Sequence, residues 1–257
     1  MKLVLVRHGQ TASNITRALD TAMPGADLNE AGQAQVAAMA AQFEQLTQHV
    51  PSVNTVSPLA RTRATARALE ERFHLTATVD QRVREVIAGE LEMNTDDQSI
   101  RTYLSVIADW IHGNLERHMP GGETGWQTRR RICAAVNDVC HRAATQHERS
   151  HEEIGEPVAV IVAHGALCRV IAYSLAANIT APLVFTYPMA NASTTVLDFS
   201  HHDTRRVCGE ETPQWIDAEN PQWRPWRALT WGDRPVDAWD MTHASDVALP
   251  SRLDTVR

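Results

Sequence analysis

The sequence predicts an α/β fold, a three-layer α/β/α sandwich with a mainly parallel sheet and an inserted helical cap. Short apolar segments of strand length alternate with longer helical patterns, which is the chain order that a parallel sheet requires. Two of the predicted strands run directly into a His-Gly pair, at His8-Gly9 and at His164-Gly165. Open α/β sheets bind ligands at the carboxyl ends of their strands. We therefore expect both imidazoles at one edge of one sheet.

Strands and helices alternate through the first third of the chain. The predicted elements are a strand at residues 1–6, a helix from its N-cap Asn29 to about His49, a strand at Val53–Val56, a helix to about Phe73 and a strand at Thr76–Val79. The second helix is expected to begin with Ser57 as its cap and Pro58 in its first turn.

The rest of the chain predicts the cap, further strands and a C-terminal wrap. The elements are helices from Asp96 to about His118 and from Glu123 to about His147, a strand leading into His164, a helix at residues 166–177 and a strand at Thr194–Phe199. The first two helices form the expected cap, about residues 90–156. Five tryptophans between Trp215 and Trp239 are expected to pack as a wrap, about residues 200–257, on a single domain of residues 1–257.

Composition restricts the partners. The 257 residues carry a formal net charge of -7, which argues against a nucleic acid or an anionic membrane as the main partner. The apolar stretch Leu3–Val6 is too short for a signal peptide, and no segment approaches the roughly 20 apolar residues of a membrane span. The four cysteines lack the spacing of a metal or redox motif, and Cys133 and Cys140 should share a buried helix face. We expect a reduced, cytoplasmic protein.

Two imidazoles and two guanidiniums at one sheet edge suit phosphoryl chemistry. Arg7 and Arg61 offer planar, permanently charged donors to phosphate oxygens, and Asn14 can add a neutral donor. The two positive charges also favour the neutral, nucleophilic form of His8. His164 would donate to the equatorial oxygens during an in-line transfer.

A leaving alkoxide needs a proton from another group. Glu85 follows the third predicted strand, and it could protonate the leaving oxygen and then activate the water that cleaves a phosphohistidine. Glu90 or Glu92 could serve instead if the loop runs differently.

Six motifs occur in a fixed order over roughly the first two hundred residues. They are Arg7-His8-Gly9 with Asn14, Leu28 to Gly32, Ser57 to Arg61 with Thr65-Ala66, Glu85 with Gly89 and Glu92, Pro120 to Glu123, and Val162 to Gly165. Each motif alone is weak, but the ordered set resembles the histidine phosphatase superfamily, which includes the cofactor-dependent phosphoglycerate mutases and many phosphatases.

The resemblance implies a phosphoric monoester hydrolase of the histidine acid phosphatase type that acts on a small phosphorylated metabolite through a phosphohistidine. It implies that His8 is the nucleophile, that Glu85 is the proton donor and that His164 takes part in catalysis. The predicted residues for binding the substrate phosphate are Arg7, Gln10, Asn14, Arg61 and His164. No metal and no cofactor are expected, and a homodimer is left open.

Two other functions are weighed against this hypothesis. A bisphosphate-dependent mutase would need a basic insertion after the acid, whereas the segment Leu91 to Tyr103 is acidic. A non-catalytic module that binds a phosphorylated ligand is disfavoured because the whole catalytic set is present. The chain departs from the family pattern at Met93, where glycine is usual, and at Thr62, which replaces a smaller residue.

Two further clusters are interpreted without a catalytic role. The run Arg129-Arg130-Arg131 is expected to form a solvated helix face. His147 and His151 have a spacing that suits metal ligands, but no carboxylate or thiol accompanies them at a useful spacing, so an exposed polar turn is expected.

Overall fold

The computed structural model describes residues 1–150, 156–199 and 214–241. The strands are β1 (Lys2–Arg7), β2 (Val53–Val56), β3 (Thr78–Val79), β4 (Val158–Ala163), β5 (Thr194–Asp198), β6 (Arg227–Ala228), β7 (Thr230–Trp231) and β8 (Arg234–Pro235). The helices are α1 (Ala12–Thr16), α2 (Glu30–Thr47), α3 (Ala60–Phe73), α4 (Asp97–Ile111), α5 (Gly125–Ser150), α6 (Gly165–Leu175) and α7 (Ala181–Thr186). None of the described helices is long and apolar enough to cross a bilayer.

Six strands form the central sheet in the order β3-β2-β4-β1-β5-β6. β3, β2, β4 and β1 pair in parallel, and β5 and β6 add antiparallel pairs at one side. The predicted mixed α/β fold with a mainly parallel sheet is therefore confirmed. The register pairs Arg7 of β1 with Ala163 of β4. Because the next residue on each strand is a histidine, His8 and His164 leave the same edge together.

Helices cover both faces of the sheet. Successive side chains of β1 point to opposite faces, and the apolar ones on each face are buried by helices. Val4 and Val6 belong to an apolar cluster with residues of α2 and α3, such as Phe43. Leu3 and Leu5 belong to the other cluster, which includes residues of α5 and α6. All six residues of β1 are buried, as are all six of β4, which is typical of strands covered on two faces.

Of the two helices predicted to form the cap, only α4 lies at the edge of the sheet where the histidines are. α5 contacts β2 and β4 directly, and its buried stripe includes Ile132, Val136, Val139 and Ala143. Such a long apolar stripe buries most area when the helix lies flat on a face of the sheet. This explains why α5 packs on the sheet instead of forming part of a cap. α4 packs on α6 instead, at the edge where the histidines lie. Cys133 and Cys140 are both buried, as expected.

α3 begins two residues later than the sequence pattern suggests. Its N-cap is Leu59, whose side chain makes no capping bond. The hydroxyl of Thr62 instead donates to the carbonyls of Ser57 at 2.9 Å and Leu59 at 2.7 Å, which holds the turn before the helix. The prediction that Ser57 caps this helix is therefore wrong. The other predicted cap is confirmed, because Asn29 accepts the N–H of Gly32 at 2.8 Å.

Tryptophans of the C-terminal segment pack onto the domain within residues 214–241. Trp215, Trp226 and Trp231 are buried. Arg129 joins this segment to α5, because its guanidinium donates to backbone carbonyls of the segment, including that of Ala218 at 2.9 Å. The prediction that Arg129 belongs to a solvated face is therefore wrong. The remaining parts of the predicted wrap lie outside the described residues.

Candidate active site

A cavity of about 110 Å³ opens at the carboxyl ends of β1 and β4. Six of the side chains that line it carry the chemistry considered below: Arg7, His8, Asn14, Asp20, Arg61 and Glu85. His164 lies directly behind this lining, with its ring centroid 5.3 Å from that of His8 and an interplanar angle of 62°. The structure thus brings together the two histidines, the two arginines, the asparagine and the glutamate that the sequence selects.

The hydrogen bonds of His8 define which ring nitrogen can act. Nδ1 lies 2.7 Å from the carbonyl oxygen of Gly9, which can only accept, so Nδ1 carries the ring hydrogen. Nε2 accepts a hydrogen bond from Nε of Arg61 at 3.1 Å. Burial first, and then the charges of Arg61 and Arg7, lower the pKa of His8 well below its usual value. The imidazole is therefore neutral at neutral pH, with the lone pair of Nε2 turned toward a cation.

Arg61 is held by a loop that approaches it closely. Its Nη2 donates to the carbonyl of Asp20 at 2.7 Å, and its Nη1 lies 3.6 Å from the carboxylate of the same residue. That carboxylate also accepts the hydroxyl of Ser13 at 2.7 Å and the N–H of Ala26 at 2.9 Å. A Cβ on Gly25, which has φ of 69°, would come within 2.4 Å of the guanidinium. Only glycine allows this loop to cover Arg61.

Asp20 is a site residue that the sequence reasoning missed. It lies in a loop with Asp27, and no pattern in the sequence distinguishes the two acids. Asn191 was missed as well, although its amide nitrogen donates at 3.1 Å both to the carbonyl of His8 and to Oδ1 of Asn14. Oδ1 of Asn14 also accepts the N–H of Thr11 at 3.0 Å. The amide nitrogen of Asn14 is therefore the group that it can offer to a ligand.

Arg7 lies beneath the cavity and is 5% exposed. Its Nη1 donates to the backbone carbonyl of Met189. A Cβ on Gly165 would lie 3.2 Å from its Nε, so the start of α6 packs against the guanidinium. This carbonyl orients the side chain and carries no formal charge of its own.

His164 has one ring nitrogen occupied and one without a partner. Nε2 lies 2.7 Å from the hydroxyl of Ser57. Nδ1 is buried and has no hydrogen-bond partner in the described part of the chain. Burial first, and then the charges of Arg61 and His8, lower the pKa of His164 well below its usual value. The ring is therefore neutral at neutral pH.

Glu85 is fixed against the first turn of α6. Its carboxylate accepts the backbone N–H groups of Val86 at 2.9 Å, Ala166 at 3.1 Å and Leu167 at 2.8 Å. The loop that carries it is held by Arg131, which donates to the carbonyls of residues 82, 84 and 85. Arg131 therefore does not belong to a solvated face, in contrast to the prediction for the arginine run.

The two alternative acids do not line the cavity. Glu92 accepts the N–H groups of Thr21 at 2.8 Å and Ala22 at 2.9 Å, so it holds the loop next to Asp20. Glu90 is exposed. Of the three carboxylates that the sequence offers, Glu85 is the one in the cavity wall.

Gln10 is not brought to the cavity. Its side-chain oxygen accepts the amide of Asn29 at 3.1 Å, and its backbone N–H donates to Gln35 at 3.0 Å. The close approach of Gly32 to this backbone turns the residue toward α2. A role for Gln10 in binding the substrate phosphate is therefore not supported by its position.

No metal cluster is formed by the residues that the structure describes, judged by groups of three or more His, Cys, Asp or Glu side chains. Of the histidine pair considered above, His147 lies in α5, and His151 is outside the described residues.

The family model of the histidine phosphatase superfamily (branch 1) matches residues 3–211. The chain therefore belongs to this superfamily, which confirms the resemblance seen in the sequence. A solved structure named Mycobacterial hydrolase 1 is 28% identical with a TM-score of 0.67, and the match covers 90% of this chain and 98% of that one. Mycobacterial glucosyl-3-phosphoglycerate phosphatase, solved with VO3, is 27% identical with a TM-score of 0.61, over 77% and 92% of the two chains.

A curated relative, the "Probable phosphoglycerate mutase GpmB" of Yersinia pestis (strain Pestoides F), is 30% identical over 142 residues. The match covers 54% of this chain and 63% of the relative, so the chain spans less than two thirds of that protein's length. Together with the family match and the structural neighbours, this relative supports an enzyme of the phosphatase or mutase type.

Proposed function

We propose that the protein is a metal-independent phosphomonoesterase that hydrolyses a small phosphorylated metabolite through a phosphohistidine at Nε2 of His8. The observation that carries this proposal is the hydrogen bonding of His8. Nδ1 is committed to the carbonyl of Gly9, so the lone pair of Nε2 is the nucleophile. The lowered pKa keeps this lone pair available at neutral pH.

In the first half of the reaction, Nε2 of His8 attacks the phosphorus atom. The N–P bond forms while the bond between phosphorus and the leaving oxygen breaks, and Glu85 gives its proton to that oxygen. Arg7 and Arg61 stabilise the charge on the non-bridging oxygens. Before the attack, Arg61 exchanges its bond to Nε2 for a bond to a phosphoryl oxygen, and this frees the lone pair that forms the N–P bond.

In the second half, a water molecule replaces the leaving group. Glu85 takes a proton from the water as its oxygen attacks phosphorus, the N–P bond breaks, and inorganic phosphate leaves. His8 and the protonated Glu85 are both restored for the next turnover. This cycle requires no metal ion and no cofactor.

Charge at the rim of the cavity favours a phosphatase over a bisphosphate-dependent mutase. Arg17 lines the cavity, but its guanidinium is 3.1 Å from the carboxylate of Asp97 in the first turn of α4. A second phosphate would have to compete with this acid. The relative named as a mutase keeps primed transfer as the second candidate.

Release of inorganic phosphate from a panel of monoesters, in buffer with a chelator, tests the proposal. The panel should include p-nitrophenyl phosphate, sugar phosphates, phosphoglycerates and glucosyl-3-phosphoglycerate, since a structural neighbour is named for the last of these. His8→Ala is expected to abolish release. His141→Ala, which changes an exposed histidine of α5, is the matched control.

An acid-labile mass increase of one phosphoryl group on His8 would support the covalent step. Ordinary activity in His8→Ala would refute the mechanism. Release from no ester would favour the mutase, to be assayed with a bisphosphate primer, and failure there would favour a module that only binds phosphorylated ligands.

A further inference from the structure

Ser57 occupies a buried position behind the cavity that the proposed mechanism does not use. It lies in the turn between β2 and α3 and is 0% exposed. Its hydroxyl oxygen is 2.7 Å from Nε2 of His164. Its backbone is fixed on both sides, because its N–H donates to Val162 of β4 at 3.1 Å and its carbonyl accepts the hydroxyl of Thr62 at 2.9 Å. The hydroxyl therefore faces the imidazole from a rigid support.

Two arrangements of hydrogen could produce the contact between Ser57 and His164. In the first, Nε2–H donates to the hydroxyl oxygen. The hydroxyl hydrogen then lacks an acceptor in the described part of the chain, and Nδ1 carries a bare lone pair. In the second, the hydroxyl donates to Nε2, and the ring hydrogen lies on Nδ1.

The second arrangement gives a partner to the hydroxyl of Ser57 and to both ring nitrogens of His164 once a phosphoryl group is bound. Nδ1 of His164 is buried without a protein partner, so it needs one from a ligand. A phosphoryl oxygen can only accept, and it would be repelled by a bare lone pair on Nδ1. An N–H at this position would donate to it instead.

We propose that Ser57 is a positioning residue that donates to Nε2 of His164 and thereby holds the N–H on Nδ1, where it donates to the phosphoryl group during transfer. This inference rests on the proposed function for its ligand. It makes His164 a neutral donor rather than a cation, which agrees with the lowered pKa of the ring. Two guanidiniums already supply the positive charge at this site, so a neutral Nδ1–H would add direction rather than charge, as the amide of Asn14 does.

Nitrogen NMR of the ring nitrogens of His164 in the free, metal-free enzyme at neutral pH tests the proposal without reference to activity. The wild-type protein should show the hydrogen on Nδ1. Ser57→Ala should show a mixture of the two tautomers. A wild-type spectrum with the hydrogen on Nε2 would overturn the proposal, and this measurement does not depend on whether any variant folds.

Kinetics with p-nitrophenyl phosphate provide the second arm. Ser57→Ala should lower kcat by about 10- to 100-fold, which is less than the roughly 100- to 1000-fold loss typical of deleting a donor, because part of the population keeps the active tautomer. Ser57→Thr, which retains a hydroxyl, should recover part of the loss. Ser105→Ala removes a hydroxyl of α4 that donates to the carbonyl of Thr102 and accepts from Arg117, and as the matched control it should keep the kcat of wild type.

The outcomes separate this inference from the proposed function. A hydrogen on Nδ1 that becomes mixed in Ser57→Ala, with no phosphate release by wild-type protein, would refute the phosphatase and retain the tautomer assignment. Phosphate release that is equal in wild type and a folded Ser57→Ala would refute the role of Ser57 and retain the phosphatase.

Discussion

Replacing Arg131 by methionine is expected to destabilise the fold and to impair the proton donor. The guanidinium of Arg131 forms a two-point pair with Glu123, at 2.6 Å and 2.9 Å. The two side chains are only 11% and 9% exposed. The same guanidinium donates to the backbone carbonyls of Arg82 at 2.7 Å and Arg84 at 2.9 Å, and to that of Glu85 at 3.3 Å. One side chain thus holds both a buried acid and the loop that presents Glu85.

The size of the effect follows from what Arg131→Met leaves behind. Glu123 becomes a buried carboxylate without its cation, and removal of one partner from a buried pair costs about 3–5 kcal/mol of unfolding free energy. Glu123→Gln in the same chain removes the stranded charge. The double variant should therefore be more stable than the sum of the two single effects predicts, by about 1–3 kcal/mol.

Urea unfolding of the wild type, the two single variants and the double variant measures this coupling. The matched control is Arg130→Met, whose side chain is exposed, pairs with Glu219 and lies over the ring of Trp126, so its stability should stay close to that of wild type. The kinetic readout is the ratio of kcat for an alkyl phosphate to kcat for an aryl phosphate. This ratio should fall in Arg131→Met, because displacement of Glu85 lowers kcat most for esters whose leaving group is poor. A loss below about 1 kcal/mol with an unchanged ratio would refute the reasoning.

Three further predictions concern single positions. Met93→Gly should raise the free energy of unfolding, measured in urea, by up to about 1 kcal/mol, because Met93 has φ of 61°, which favours glycine, and its side chain is exposed. An unchanged or lower free energy would contradict this. The unfolding free energy should fall as the pH drops from about 7.5 to about 5.5, because the folded state lowers the pKa of His8 and His164 and the unfolded chain takes up protons near about pH 6.5. A curve without this slope would show that the histidines are not buried neutral. Glu85→Gln should lower kcat for alkyl phosphates more than for aryl phosphates, and equal losses would exclude Glu85 as the acid.

The sheet-edge residues could be predicted because their placement depends on local rules. A parallel register that pairs Arg7 with Ala163 brings the residues that follow the two strands side by side, and both are histidines. Glu85 follows from the same reasoning, because a segment after β3 must leave at that edge as well. Met93 is a further case. Its left-handed backbone explains on physical grounds why the family uses glycine at this position.

The hydrogen-bond partners of these residues could not be predicted from the sequence, because each contact depends on the path that a loop takes in the folded chain. Asp20 meets Arg61 and Ser57 meets His164 across long stretches of chain, and neither pair has a sequence signature. The arginine run is a further case. Successive residues of an α-helix point about 100° apart, so three in a row span about 200° of the circumference, and on α5, which contacts both the sheet and the C-terminal segment, two of the three turn inward. Only Arg130 faces solvent.

The backbone partners of the charged groups explain how a chain with a net charge of -7 can hold a phosphate. Glu92 accepts backbone N–H groups, so its negative charge is offset where it lies, and Glu85 accepts backbone N–H groups of α6. Arg7 and Arg61 donate to backbone carbonyls, which orient a guanidinium but carry no opposing formal charge. The carboxylate of Asp20, which is paired with Arg61, lies 3.6 Å away and shares its oxygen with two other donors. The guanidinium of Arg61 therefore keeps positive potential at the cavity, because the acids nearest to it already accept other hydrogen bonds.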